Sequence, residues 1–229
     1  MTTNACPDPN ASALGKLMCE VTQDLLWHSS GAAGSNLRCR VGSGQATYHK
    51  FDPHRKQHLI TYGVRMIAAK QHPDSARGWL SLRELLHRGY FGGEPSPLNL
   101  LAHTCCHEFA HLLQCQAGQR YRGSVHNRHF YGFLDQLHRD GRARATRQAL
   151  AEGARSHGLA LPETPLNLAQ PEPEPRHWQV GQPVTFTTRN GPVLGRILRV
   201  NRRSCTVDGC GRFRGIRYRV PLQMLSTTD

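Results

Sequence analysis

The stretch HTCCHEFAHLLQCQ, residues 103–116, concentrates side chains that bind metal ions or transfer protons: three histidines, three cysteines and one glutamate. On an α-helix, side chains four positions apart share a face, so His107 and His111 can bind one ion together. His103 and His111 would be about 12 Å apart along such a helix, whereas a zinc–nitrogen bond is about 2.1 Å long. The spacing therefore predicts two histidine ligands from this helix, not three.

Glu108 directly follows the first of these two ligands. In the pattern His-Glu-x-x-His, a glutamate at this position can accept a proton from a water at the metal without binding the metal itself. Cys105 and Cys106 point roughly 200° and 100° away from His107, which favours the core side of the helix. The pattern therefore predicts Glu108 as a general base beside a zinc ion.

A catalytic zinc site needs a third protein ligand and an open position for water. This ligand must come from outside the helix, and the segment SVHNRHF supplies two histidines after one loop. His126 is the first candidate, because an antiparallel return would bring the start of the next helix beside the first two ligands. His129 is the second and His103 a distant third; otherwise His103, His129 and His138 are expected at the surface.

HEFAH, followed after fourteen residues by HNRHF, resembles the SprT/Spartan family of zinc metallopeptidases, whose pattern is His-Glu-x-x-His and then His-Gly-x-x-Phe at a similar distance. The resemblance covers residues 11–157. It implies cleavage of proteins on, or crosslinked to, DNA. It also implies zinc as the cofactor, a catalytic general base and an aromatic residue that packs the second helix; the residues in these roles are His107, His111 and His126 as ligands, Glu108 as base and Phe130 as the aromatic.

The elements that must position these residues follow from periodicity and turn signals. The central helix is predicted from Leu98 to Ala117, where Gly118 can end it, and the next over 127–139, with Asn127 as its N-cap. Other segments with helical spacing of apolar residues are 11–28, 64–71, 79–88 and 143–157. Residues 46–62 are predicted to form a β-hairpin around the turn DPHRK.

The order of elements predicts an α+β protein. Residues 1–160 would form a zincin-like metallopeptidase domain of helices and a small antiparallel sheet. Residues 161–175, rich in proline and glutamate, would form a linker that packs against nothing. Residues 176–229 alternate short β-rich runs with turn signals such as Asn190-Gly191, which predicts a small all-β barrel. This segment resembles a Src-homology-3-like barrel of the kind that accompanies nucleic-acid machinery, an analogy of fold only.

The charge distribution indicates an anionic partner. The formal net charge is +13, and residues 176–229 hold ten arginines against two aspartates, a net charge of +8. Nucleic acid is the commonest partner of such a segment, so DNA is the predicted one. Arg217 and Arg219 alternate with Ile216, Tyr218 and Val220, which predicts that the arginines face outwards. The candidate contacts to DNA are Arg196, Arg199, Arg202, Arg203, Arg217 and Arg219.

Several classes of protein do not fit the sequence. The N-terminal residues lack a basic start followed by an apolar run, and no stretch approaches the roughly 18 apolar residues of a membrane span. The eight cysteines include no Cys-x-x-Cys pair, which argues against a zinc ribbon. These features predict a protein of the cytoplasm, where association with the nucleoid is compatible with the basic segment.

Two alternatives to a DNA-directed peptidase stay open from the sequence. The first is a non-catalytic nucleic-acid-binding protein with a structural zinc. The second is a metallopeptidase that acts on a soluble partner, with the barrel binding protein. Retention of Glu108 favours hydrolysis over a structural zinc, because a structural site has no need of a general base.

Overall fold

The computed structural model of the chain describes residues 8–28, 35–121, 123–168, 178–188, 191–201 and 204–228. The chain divides into two compact units, residues 1–168 and 169–229, and each has a hydrophobic core of its own. Helices and small sheets are both present, so the predicted α+β class is confirmed. Residues 161–168 belong to the first unit, although the sequence assigned them to a linker: Leu161, Leu166 and Leu168 pack against its core.

The first unit is mainly helical. A π-helical segment, Thr22–Trp27, continues the first helix, and a 3-10 turn, Tyr90–Gly93, follows the fourth. The predicted long helices are confirmed to within a few residues at each end. The helices are α1 (Pro9–Val21), α2 (Val64–Ala69), α3 (Pro73–Ala76), α4 (Leu80–Arg88), α5 (Pro97–Gln116), α6 (Arg128–Arg139) and α7 (Arg142–Ser156).

A three-stranded sheet packs beside these helices. Its strands are β1 (Asn36–Gly42), β2 (Tyr48–Asp52) and β3 (Gln57–Gly63), in the spatial order β1-β3-β2. The predicted hairpin is confirmed, because β2 pairs antiparallel with β3. The prediction of a purely antiparallel sheet is wrong, because β1 pairs with the other edge of β3 in parallel. Strand β2 therefore stays at the edge of the sheet, in contact with α5.

Helix α5 has signals at both ends that fix its position. Pro97 begins it, and the Ser96 hydroxyl accepts a hydrogen bond from the Asn99 backbone N–H at 3.1 Å, as an N-cap does. Gly118 ends it with φ +66, a conformation that glycine adopts without strain. The backbone N–H of Gln119 then reaches back to the carbonyl of Gln114 at 3.0 Å. The predicted bounds of this helix are confirmed.

The second unit contains one antiparallel sheet in the order β7-β6-β5-β4-β8. Asn190 of the predicted turn lies outside the described residues, but β4 and β5 pair on either side of it. Closure of this sheet into a barrel stays a prediction. The strands are β4 (Pro183–Thr188), β5 (Gly191–Val200), β6 (Ser204–Gly209), β7 (Arg217–Pro221) and β8 (Ser226–Thr227). Of the helices that the structure describes, none has the length and apolar character that spanning a membrane requires.

Candidate metal centre

Three imidazole rings converge between α5 and the start of α6. The Nε2 atom of His126 lies 3.1 Å from Nε2 of His111 and 3.2 Å from Nε2 of His107. Four ligands at tetrahedral angles, with zinc–nitrogen bonds of about 2.1 Å, are about 3.4 Å from one another. These two separations are close to those that one tetrahedral ion requires, and the three side chains could hold a metal ion.

The other two histidines considered as third ligand lie elsewhere. His129 is partly exposed, and its Nε2 accepts a hydrogen bond from Arg128 at 3.3 Å. His103 is completely buried, so its predicted surface position is wrong. It lies on the buried side of α5, where its ring hydrogen-bonds to other side chains of the first unit.

Glu84 on α4 orients the first ligand. Its Oε2 atom lies 2.9 Å from Nδ1 of His107 and 2.9 Å from Nε2 of His103. Burial alone would raise the pKa of Glu84, but the hydrogen bonds from these two histidines hold it well below its ordinary value. An ionised carboxylate accepts hydrogen bonds, so Nδ1 of His107 carries the proton and its Nε2 lone pair faces the other two ligands.

Gln114 holds the other two ligands in place. Its side-chain oxygen lies 3.4 Å from Nδ1 of His111, and its amide nitrogen donates to the carbonyl of Val125 at 3.0 Å. The same nitrogen donates to Oδ1 of Asn127 at 3.1 Å. Asn127 also accepts hydrogen bonds from the backbone N–H groups at the start of α6, which confirms it as the N-cap. His126 therefore lies between two residues that are tied to α5.

Phe130 forms the wall behind the three ligands. Its ring centroid lies 4.8 Å from that of His107, 4.3 Å from that of His111 and 4.9 Å from that of His126. The side chain is completely buried on the apolar stripe of α6. A rigid apolar ring behind all three imidazoles limits their rotation, so the Nε2 atoms stay together.

The protonation of the ligands suits a metal ion. Burial, together with the charges of His107 and His126, lowers the pKa of His111 to about 2. Burial also lowers the pKa of His126. Neutral imidazole is the form that binds metals, so these two ligands are ready to bind at neutral pH.

The ligands face a cleft of about 270 Å³ that also contains Glu108, Lys70 and Arg120. The Oε2 atom of Glu108 is buried and has no hydrogen-bond partner in the described part of the chain. Burial raises the pKa of Glu108, while the charges of His107, Lys70 and Arg120 and a hydrogen bond from the His49 backbone oppose the rise. A carboxylate of raised pKa that keeps one oxygen free is suited to accept a proton.

Lys70 is a buried ammonium in this cleft. Its Nζ donates a hydrogen bond to the Thr104 hydroxyl, and it lies 5.5 Å from the centre of the Trp79 ring. Burial lowers the pKa of Lys70 to about 7, although the negative charge of Glu108 acts in the opposite direction. The cleft thus combines a metal-ligand group, a candidate base and a cation.

A second group of side chains, Glu84, His103 and His107, also has the spacing of a metal site. Its distances are those of ordinary hydrogen bonds, and burial of Glu84 and His103 leaves little access for water or substrate. Nδ1 of His107 cannot bind a metal ion in this group while it carries the proton that it donates to Glu84. The group is better explained as the hydrogen-bonded support of the first one.

The second unit presents a basic sheet face. Arg196 and Arg217 lie on either side of Asp208, and Arg199 and Arg219 lie on either side of Thr206, in two neighbouring rows. Arg196 and Arg199 are three residues apart, yet they face the same way, because the pairing register shifts between Ile197 and Arg199. All four arginines are exposed, as predicted for Arg217 and Arg219. Arg202 and Arg203 lie outside the described residues.

Three residues of the metal centre were not predicted from the sequence: Glu84, Gln114 and Lys70. Glu84 lies between Leu82 and Leu85 on the buried face of α4, and Lys70 follows Met66 by one helical turn. A charged residue on an apolar stripe is the signal that could have identified both.

Comparison of the chain with protein-family models, with curated proteins and with solved structures finds no match.

Proposed function

We propose that the chain is a zinc-dependent metallopeptidase of the SprT/Spartan type, with a zincin-like first domain and His107, His111 and His126 as ligands. The observation that carries the proposal is the convergence of three Nε2 atoms, two of which lie within 3.2 Å of the third, that of His126. Neutral nitrogen ligands, without a carboxylate among them, suit zinc better than magnesium or calcium. The position of Glu108 in the same cleft favours hydrolysis over a purely structural site.

Zinc bound by these ligands would supply Lewis-acid polarisation of a water molecule and of the peptide carbonyl. The protein contributes the proton transfers. Glu108 takes the proton of the attacking water and returns it to the leaving amine. In its protonated form Lys70 places a positive charge in the cleft, and this charge favours the ionised form of Glu108 before the proton is taken.

The substrate would be an extended peptide that pairs with the free edge of β2. At His49 this edge is already in use, because Nη1 of Arg120 donates to the His49 carbonyl at 3.2 Å and lies 2.9 Å from Nδ1 of the same residue. A peptide that pairs at His49 must therefore displace Arg120 from the carbonyl and Glu108 from the backbone N–H. Arg120 is exposed and lies beside the cleft, so it can move to the substrate without disturbing the core.

The test of the peptidase is Glu108→Gln. We expect it to abolish proteolysis and leave zinc content at one ion per chain, because Glu108 moves a proton and does not bind the metal. Zinc content is measured by plasma emission spectrometry. Proteolysis is measured as cleavage of a DNA-binding protein, once with DNA present and once without it. Glu20→Gln, which removes an exposed carboxylate on α1, is the matched control and should cleave normally. A wild-type protein with zinc but no proteolysis would favour the structural-zinc alternative.

The same proposal includes DNA as the partner of the basic sheet face. The supporting observation is the set of four exposed arginines in two cross-strand rows, with one aspartate among them. Arginines at this spacing contact phosphates and give binding without sequence preference. The substrates would then be proteins on, or crosslinked to, DNA.

The DNA contact is tested by Arg217→Gln with Arg219→Gln. We expect weaker binding to DNA and a slope of log affinity against log salt that is reduced by about 2, near one unit for each lost phosphate contact. Zinc content should not change. Arg38→Gln, on an exposed arginine of β1, is the control. An unchanged salt slope in the double variant would remove this face from the DNA contact.

A further inference from the structure

A second cavity among the described residues is larger than the metal cleft. It has a volume of about 640 Å³ and lies between the 3-10 turn Tyr90–Gly93, the end of α6 and the start of α7. This volume is in the range of small-molecule sites. None of its lining residues also lines the metal cleft, so the two cavities are separate.

Positive charge predominates in this cavity. Four arginines and two carboxylates line it, a net charge of +2 with His138 neutral. Burial keeps His138 neutral, since its pKa is lowered to about 3. The lining side chains that carry charge are Arg88, Arg139, Arg144, Arg147, Glu94 and Asp135.

Two of the arginines already have acidic partners. Arg88 donates to both oxygens of Asp135, at 3.2 and 2.7 Å, and Arg147 donates to Glu163 at 3.1 Å. Arg139 and Arg144 are exposed, and within the described part of the chain neither lies within 4.0 Å of a carboxylate. Glu94, the other acidic residue of the lining, is exposed at the rim. The positive charge available to a ligand therefore comes from Arg139 and Arg144.

The wall of the cavity is held rigidly. The Tyr90 hydroxyl donates to Asp135 at 2.5 Å, and the Tyr90 ring stacks on His138 with centroids 3.8 Å apart and planes 5° apart. The next residue, Phe91, has φ +51 and ψ +38, a backbone conformation that is costly for a bulky side chain. Strain of this kind is retained where the surrounding contacts fix the conformation. The cavity is therefore preformed, which lowers the entropy cost of binding.

We propose that this cavity binds a small anion whose phosphate groups carry two or more negative charges. A guanidinium presents paired N–H donors that match phosphate oxygens, and a multiply charged anion can engage Arg139 and Arg144 at once. The faces of the Tyr90 and His138 rings are stacked on each other, and Phe91 meets His138 edge to face, so the phosphate group, not an aromatic base, provides the recognition. The source of the phosphate is either free diphosphate or a nucleoside diphosphate. The proposal does not depend on peptidase activity.

The test is a calorimetric titration of the full-length protein with pyrophosphate and, in a second arm, with ADP. We expect saturable binding with a dissociation constant below about 1 mM. Arg144→Gln should weaken it about tenfold and the double variant with Arg139→Gln further, because each removes a charge-assisted hydrogen bond. Equal affinity for both probes would identify free diphosphate as the source, and clearly tighter ADP binding would identify a nucleotide.

Two controls separate this site from others. Arg38→Gln, which removes an exposed arginine away from the cavity, should bind pyrophosphate as the wild type does. His126→Ala, which disrupts the metal-ligand group, should also bind it normally, because the two cavities share no residue. The proposal is overturned by no saturable binding, by unchanged binding in Arg144→Gln, or by binding that disappears in either control.

Discussion

At the scale of single residues, the position of His107 depends on Glu84. The carboxylate of Glu84 accepts hydrogen bonds from His103 and His107 with one oxygen atom. It is buried, so bulk water does not compete with these hydrogen bonds. Residues in this position commonly change metal affinity by 10- to 100-fold when they are replaced.

Glu84→Gln should therefore weaken zinc binding by about 10- to 100-fold. An amide keeps the shape of the side chain and can keep one oxygen towards both imidazoles, but it removes the negative charge that holds the proton on Nδ1 of His107. It also places an NH2 group where the buried Oε1 of Glu84 has no hydrogen-bond partner among the described residues. The affinity is measured by competition with a chromophoric chelator. Glu152→Gln, on the exposed face of α7, is the control. Equal zinc affinity in both variants would show that Glu84 does not orient the ligand.

The residues of the metal centre differ in how far the sequence could predict them. His107, Glu108 and His111 follow from helical spacing, because all three lie on one element. His126 was the first of three candidates, favoured by an antiparallel return of the chain and by the family resemblance. Glu84 and Gln114 could not be derived by spacing, because their roles depend on how α4 and the loop before α6 pack against α5.

At the scale of elements, the close approach of residues 44–47 to β3 determines where β2 begins. The N–H of Gly63 donates to the Thr47 hydroxyl at 3.0 Å, and the N–H of Arg65 donates to the carbonyl of Gly44 at 3.1 Å. A Cβ atom on Gly63 would lie 2.9 Å from the Ala46 carbonyl oxygen. Gly63 has φ −79, so the space around it, not its backbone conformation, requires glycine.

Gly63→Ala should lower the free energy of unfolding by about 1–3 kcal/mol. The added Cβ would meet backbone atoms, which cannot rotate away as a flexible side chain can. Urea denaturation followed by circular dichroism measures it. Gly78→Ala is a matched control: Gly78 has an ordinary φ, and nothing lies within 4 Å of its added Cβ. The control should stay within about 0.5 kcal/mol of the wild type. If both variants unfold alike, residues 44–47 can move away from β3 at little cost.

The sequence predicted the long helices and the hairpin well, because their apolar periodicity and end signals are local. It did not predict β1, although Leu37, Cys39 and Val41 alternate with Arg38 and Arg40 there. Pairing of β1 with β3 is a contact between segments far apart in the chain, and no local signal gives its direction. The same limit explains the packing of residues 161–168, where three leucines among prolines contact the first core.

At the scale of the whole molecule, buried histidines make stability depend on pH. Burial is the main cause in four that are not metal ligands: it lowers the pKa of His49 to about 3, of His58 to about 4, of His103 to about 4 and of His138 to about 3. In the unfolded chain each takes up a proton near pH 6.5. Between pH 6.5 and about 4 the unfolded state therefore binds more protons than the folded state, and stability falls as the pH falls.

The free energy of unfolding of the metal-free protein should decrease by about 1 kcal/mol per buried histidine between pH 7 and pH 5.5. The lowered pKa of Glu84 does not contribute in this range, because that carboxyl is ionised in both states above its unfolded pKa. Urea titrations at the two pH values measure the difference. His138→Phe, which keeps a ring against Tyr90, should reduce the difference by about 1 kcal/mol, the contribution of one histidine. The same stability at both pH values would contradict the prediction.

The row of hydrogen bonds from Glu84 through His103 to His138 has a direction. Because Glu84 accepts from Nε2 of His103, the Nδ1 atom of that neutral ring has no proton, so the bond of 3.3 Å to His138 must be donated by Nε2 of His138. His107, on the other side of Glu84, carries its proton on Nδ1. One buried negative charge thus selects opposite tautomers in His107 and His138, which nitrogen-15 chemical shifts distinguish. Without that charge, none of the three rings would be held in a single tautomer.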